Sequence, residues 1–194
     1  SYRRIVDEPA LDGADIVTNL DMDIQSIVEH SLREQLQQLE AESGTVVLME
    51  VKTGKIIAIS NLEQVKRSPG TYSESINMAM TNKAEPGSTF KAFVLAEWYQ
   101  EGRPGYTSMN TSPRTFGRST WNISCDPSKA DTWDVRNAND SESGAHNVIQ
   151  STAQSINVGF ARMTQQMDIC NITNLAAKLG VTNNPGDPLT PTPS

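Results

Sequence analysis

Pro86 and Gly87 stand four residues ahead of a run that is apolar around nearly its whole helical circumference, Ala92-Phe93-Val94-Leu95-Ala96-Glu97-Trp98-Tyr99. Proline restricts the backbone, glycine releases it, and a helix without a polar face has to be buried, so residues 85–99 predict a turn feeding a central helix. Gly102 and Pro104 end it. At its start Ser88 and Lys91 are three residues apart, which sets them on one face with the ammonium in reach of the hydroxyl. A free serine is a poor nucleophile; a lysine whose pKa is lowered by desolvation or neighbouring positive charge can take its proton. Ser88 also falls near the positive end of the helix dipole, where developing negative charge is favoured. A Ser-x-x-Lys spacing alone usually marks a capped, solvated helix. The whole run is more specific.

Glu85-Pro86-Gly87-Ser88-Thr89-Phe90-Lys91 resembles the first active-site motif of penicillin-binding proteins, the serine acyltransferases that cross-link peptidoglycan. Ser155-Ile156-Asn157, inside Ala153-Gln154-Ser155-Ile156-Asn157-Val158-Gly159-Phe160, is similar to the second motif of that family, S-x-N. The third motif, Lys-Thr-Gly or Lys-Ser-Gly on a strand, has no match after Asn157. Lys52-Thr53-Gly54 lies upstream of Ser88 between the apolar runs 45–51 and 55–60, so it reads as a hairpin turn with Gly54 at positive φ. The resemblance implies an α/β (α+β) fold of the β-lactamase/transpeptidase kind, with an antiparallel sheet packed against helices plus a helical half. With 194 residues the chain is long enough for one domain with a core, and the family's domain is longer. The expectation is a partial transpeptidase domain over residues 1–194, with a lead-in over 1–20, an irregular insert over 105–144, a Pro-rich end over 181–194 and the C-terminal part of the fold missing.

The chemistry implied is D,D-transpeptidation. Ser88 attacks the carbonyl of the penultimate D-alanine of a stem peptide, Lys91 is its base, Ser155 relays a proton to the leaving amine, and Asn157 binds the substrate amide and orients Lys91. A β-lactam would acylate the same serine. One oxyanion donor is the Ser88 N–H and the other belongs to the strand of the third motif, so catalysis by this chain is expected to be impaired. From spacing alone Ser155 and Asn157 read as polar residues of a helix–helix junction, and only the company of Ser88 and Lys91 reverses that. The competing readings are a serine β-lactamase, for which no deacylating base stands out, and a non-catalytic β-lactam-binding sensor or structural fragment. Residues up to Lys91 most resemble the monofunctional class B enzymes of cell division; residues from Trp121 onward lean toward the bifunctional class A enzymes. The partners implied are peptidoglycan stem peptides, β-lactam antibiotics and, for the parent chain, divisome or elongasome proteins. No cofactor is implied. The implied location is extracytoplasmic, with an N-terminal membrane anchor removed.

The remaining residues set limits on other functions. A net charge of −7, with no basic run longer than Arg3-Arg4 or Lys66-Arg67, argues against nucleic acid. No segment approaches 18 consecutive apolar residues. Cys125 and Cys170 permit one disulfide in an oxidising compartment, although two unlinked thiols, with Cys170 in a helical core, is the reading preferred here. The two histidines, His30 and His146, read as surface residues rather than as a general base, and no metal-ligating cluster is visible. Ile16-Val17 is expected as a short strand. Asp21 and Asp23 offer caps for a helix with Ile24, Ile27, Val28, Leu32, Leu36 and Leu39 on one stripe. Residues 61–83 read as a polar surface linker, and Trp121 and Trp133 as local anchors of the irregular insert, the commoner explanation, with the lining of a substrate cleft as the alternative. Helices are expected over 148–154, on from Asn157, and over 171–179 with Asn171 as cap and Gly180 beyond.

Overall fold

The structure is a computed structural model that describes residues 13–81, 85–183 and 186–193. The start of the expected lead-in (1–12), the end of the expected linker (82–83) and residues 84, 184, 185 and 194 lie outside them. The chain divides into two units, Ser1–Asn82 and Lys83–Ser194.

In the first unit, helix α1 (Met22–Gln38) begins where Asp21 accepts from the N–H groups of Asp23 and Ile24, so the predicted cap is in place. Leu32 and Leu36 carry its buried face and pack with Leu62 and Tyr72; Ile27 and Leu39, expected on the same stripe, are 66% and 71% exposed. Strand β1 (Ser43–Met49) pairs antiparallel with β2 (Ile56–Gln64), from Ser43 opposite Glu63 to Met49 opposite Ile56. Lys52, Thr53 and Gly54 form the turn between them, with Gly54 at φ +71° and its N–H bonded to the Glu50 carbonyl at 2.9 Å. The hairpin reading holds. The linker reading does not, because β3 (Tyr72–Glu74) adds to β2 and a short helix α2 (Met78–Thr81) follows. A three-residue strand leaves no alternation to read. It is held by the buried Tyr72, whose hydroxyl donates to the carbonyls of Leu36 and Ala41 at 3.0 and 2.8 Å. Ile16 and Val17 form no strand; they are 86% and 96% exposed and no ladder reaches them.

In the second unit a 3₁₀ turn (Gly87–Phe90) runs straight into α3 (Lys91–Gln100). The insert then makes short ordered pieces, as its length requires. Strand β4 (Ser108–Asn110) pairs with β7 (Ala145–Asn147), and β5 (Arg114–Phe116) pairs with β6 (Trp133–Val135). Helices α4 (Val148–Ala153), α5 (Asn157–Gln165) and α6 (Ile169–Lys178) follow. Helix α5 serves two cores at once. Phe160 and Met163 join Val94, Trp98 and Ile172, while Val158 and Ala161 join Phe116, Trp121, Val135 and Cys170. That double burial fixes α5 in rotation and depth, and with it the residues at its N-terminus.

Two expectations are corrected here. Asp168 rather than Asn171 caps α6, accepting from the Cys170 N–H at 3.0 Å, so the helix starts earlier than its apolar pattern suggests. Cys125 and Cys170 are joined in a disulfide. The cause is a bridge between Asn122 and Asp168 that lays the insert along the start of α6 and brings the two Cα atoms to 6.1 Å. No local sequence pattern reveals that approach.

Candidate active site

Ser88 sits exposed in the 3₁₀ turn that Pro86 and Gly87 open, with Gly87 at φ +52° and the Thr89 hydroxyl bonded to the Pro86 carbonyl. Lys91 is the first residue of α3. The expected reach of the ammonium to the Ser88 hydroxyl is not the arrangement adopted: among the described residues no hydrogen bond joins the two. Lys91 Nζ instead donates to the Ser155 carbonyl at 2.6 Å, to Ser155 Oγ at 3.1 Å and to Asn157 Oδ1 at 2.6 Å, which occupies its three N–H bonds. The Phe160 ring lies 5.3 Å below the ammonium.

Ser155 and Asn157 reach Lys91 because α4 and α5 meet at an abrupt corner. Ser155 adopts φ +55°, a left-handed conformation that costs a non-glycine residue about 1–2 kcal/mol. Around it the Ser155 N–H bonds to the Thr152 carbonyl and the Ile156 N–H to the Ser151 carbonyl, and Ile156 is fully buried. The corner is tight because Gly159 has no side chain. A Cβ there would stand 2.5 Å from Ser151 Oγ and 2.7 Å from Ser151 Cβ. The reversed backbone turns both the carbonyl and the hydroxyl of Ser155 toward Lys91. Asn157 is held from the other side, its Nδ2 donating to the Arg136 carbonyl at 2.9 Å.

Burial holds the Lys91 ammonium below the usual lysine pKa, and the negative charge of Glu142 opposes that shift. Glu142 is itself buried, with its carboxylate accepting from the Ala138 N–H at 3.1 Å and Asn139 Nδ2 at 2.8 Å. Ser88, Lys91 and Asn157 line one cavity of about 810 Å³. Its other walls include Trp133, Asp134 and Arg136 in and beside β6, and Leu189 and Pro193 from the Pro-rich end. Trp121 anchors the insert as expected, its Nε1 donating to the Asp131 carbonyl, and Trp133 packs beside it with ring centroids 6.1 Å apart while also facing the cavity. Asp134, Arg136 and Glu142 went unnoticed in the sequence, where they are charges in an irregular segment with no spacing to mark them. His30 pairs with Glu34 on an exposed face of α1, and His146 Nδ1 lies 2.8 Å from Thr111 Oγ1. Among the described residues no group of His, Cys, Asp and Glu is arranged to hold a metal ion, and no helix is long and apolar enough to cross a membrane.

The chain is similar to known proteins, to some in sequence and to another in fold. The chain is 33% identical over 111 residues to the probable peptidoglycan D,D-transpeptidase PenA of Neisseria gonorrhoeae, covering 55% of this chain and 19% of PenA. It is 31% identical over 120 residues to the peptidoglycan D,D-transpeptidase FtsI of Escherichia coli, covering 58% of this chain and 20% of FtsI. The chain thus spans about a fifth of the length of these relatives. Its fold is similar to the apo transpeptidase domain of Burkholderia pseudomallei penicillin-binding protein 3, with a TM-score of 0.61 at 19% identity over 87% of this chain and 43% of that one. This bears out the α/β transpeptidase-like fold expected from the motifs. The family model for the penicillin binding protein transpeptidase domain matches residues 44–190, from the start of the hairpin through the Ser88 turn and the Ser155 corner, and the chain belongs to that family.

Proposed function

We propose that the cavity is an acyl-transfer site for peptidoglycan stem peptides ending in D-alanyl-D-alanine, with Ser88 as nucleophile. The observation that carries this reading is the triple engagement of Lys91 by Ser155 and Asn157 one turn from Ser88, on a cavity that three of the four residues line. Lys91 is the base. Its ammonium is depressed by burial, and in its neutral form it takes the Ser88 proton as Oγ bonds to the penultimate D-alanine carbonyl carbon. The terminal peptide C–N bond then breaks, and the departing D-alanine amine receives a proton through Ser155 Oγ, which already contacts Lys91 Nζ. An amine of a neighbouring stem resolves the ester. Asn157 keeps Lys91 in place through Oδ1, and the amide N–H not given to Arg136 is available to a substrate carbonyl. The Ser88 N–H in the 3₁₀ turn supplies an oxyanion donor.

This activity would be extracytoplasmic, and the Cys125–Cys170 disulfide fits an oxidising compartment. Partner proteins of cell division or elongation belong to the same reading. Incubation with a fluorescent penicillin followed by peptide mapping tests it. The adduct should lie on the peptide containing Ser88 and vanish in Ser88→Ala, and an adduct on any other residue would refute the assignment. Nitrocefin should be bound without sustained turnover; steady hydrolysis would mark a β-lactamase instead.

A further inference from the structure

We propose that Asn137 is a positioning residue for the Lys91–Asn157 pair, acting through the N-terminus of α5 and the Arg136 carbonyl; the inference rests on the roles given above to Lys91 and Asn157. The first four N–H groups of a helix lack partners within it, and an N-cap side chain usually supplies one. Ile156, at the cap position of α5, cannot. The acceptor comes instead from 21 residues upstream: Asn137 Oδ1 receives the Val158 N–H at 3.0 Å. The other end of the same amide donates to the carbonyls of Thr111 at 2.8 Å and Glu142 at 3.1 Å. All its polar atoms are therefore committed in one sense. A half-turn of the amide would set its N–H bonds against the Val158 N–H and its oxygen against two carbonyls.

This clamp fixes the peptide one residue back. The Arg136 carbonyl accepts from Asn157 Nδ2 at 2.9 Å, and that bond determines which end of the Asn157 amide faces Lys91. With Nδ2 held, Oδ1 is left for the ammonium at 2.6 Å. If Arg136 moved away, Asn157 would be free to turn its N–H bonds toward Nζ, donor against donor. Asn137 does not line the cavity, so it acts only through Arg136 and α5. The rest of the 138–144 loop has its own supports, with Thr111 Oγ1 donating to the carbonyls of Glu142 and Gly144, so losing the Asn137 amide should loosen the Arg136 carbonyl without unravelling the loop.

The test uses the whole chain, ¹⁵N- and ¹³C-labelled, with the Asn157 side-chain amide pair assigned by its disappearance in Asn157→Ala. In Asn137→Ala the Asn157 amide pair and the Lys91 ¹³Cε resonance should move beyond their linewidths, while resonances of α1 stay in place. An unmoved Asn157 pair would overturn the proposal. Should Asn137→Ala fail to fold, Asn137→Asp keeps an acceptor for the Val158 N–H but has no N–H for the Thr111 and Glu142 carbonyls, and the same signals decide. Labelling of the folded variant by fluorescent penicillin should slow roughly tenfold or more, as misplacement of a catalytic group predicts, and a rate equal to that of the parent would also overturn it. If the parent chain is labelled somewhere other than Ser88, or not at all, the function proposed above fails, and the Asn157 and Lys91 signals still decide the role of Asn137.

Discussion

Lys91 Nζ and Asn157 Oδ1 are 2.6 Å apart, and each belongs to the first residue of a helix, α3 in one case and α5 in the other. The contact is therefore a strut between two helix beginnings rather than a link between two flexible loops. Both helices are anchored in the same core, through Val94 and Trp98 on one and Phe160 and Met163 on the other. Relative motion of the two side chains requires that core to shift, which a close-packed interior resists.

The charge of Glu142 should displace the pH dependence of acylation. A base works when neutral, so the rate climbs with pH through the pKa of Lys91, which burial lowers and Glu142 raises. Glu142→Gln removes only the raising influence. The ascending limb of the pH–rate profile for fluorescent-penicillin labelling should move to lower pH, with faster labelling near neutrality; an unmoved limb, or one displaced upward, would contradict the assignment of Lys91 as base.

The upstream Lys52-Thr53-Gly54 should be structural. Lys52→Ala is expected to leave penicillin acylation within about threefold of the parent, since an exposed turn lysine contributes within roughly 0.5 kcal/mol. Gly54→Val should lower the melting temperature, because φ +71° costs a β-branched residue on the order of 1–2 kcal/mol or more. Loss of acylation by Lys52→Ala with unchanged melting would give this triplet a catalytic role.

Reduction of the disulfide should weaken the second unit. Cys125 and Cys170 close a loop across a sequence separation of 45, for which the chain-entropy account gives about 4 kcal/mol. Melting followed by circular dichroism with and without reductant should show a fall of roughly 10 °C or more, repeated by Cys125→Ala without reductant. Equal melting temperatures would mean that the Asn122–Asp168 bridge and the surrounding core hold this region unaided.

Much of this was legible beforehand because local chemistry decided it. Asp21 caps α1, Gly54 turns the hairpin, and Pro86 and Gly87 open the 3₁₀ turn, each acting within a few residues of itself. The meeting of Lys91 with Ser155 and Asn157 was legible only through the family motifs, since nothing in the spacing of residues 64 and 66 positions apart announces it. What escaped was set by tertiary approach. Strand β3 is too short to show a period, Asp168 caps α6 while also accepting from the Ser124 N–H, and Cys170 finds Cys125 only once the insert lies beside α6. The polar frame of Arg136, Asn137 and Glu142 escaped for the same reason, as its bonds lead to α5 and Thr111 rather than to sequence neighbours.

Ser155 occupies a backbone conformation that glycine would hold with less strain, yet its hydroxyl is one of the three groups on Lys91. On the proton-relay role proposed for Ser155, folding and chemistry pull this position in opposite directions. A laboratory library sorted for thermal resistance should tend to enrich glycine at 155, and one sorted for acylation should retain serine. If Ser155 has the role proposed above, the corner between α4 and α5 is a place where this chain forgoes robustness to keep the hydroxyl on Lys91, and Ser155→Gly would exchange that contact for a relaxed backbone.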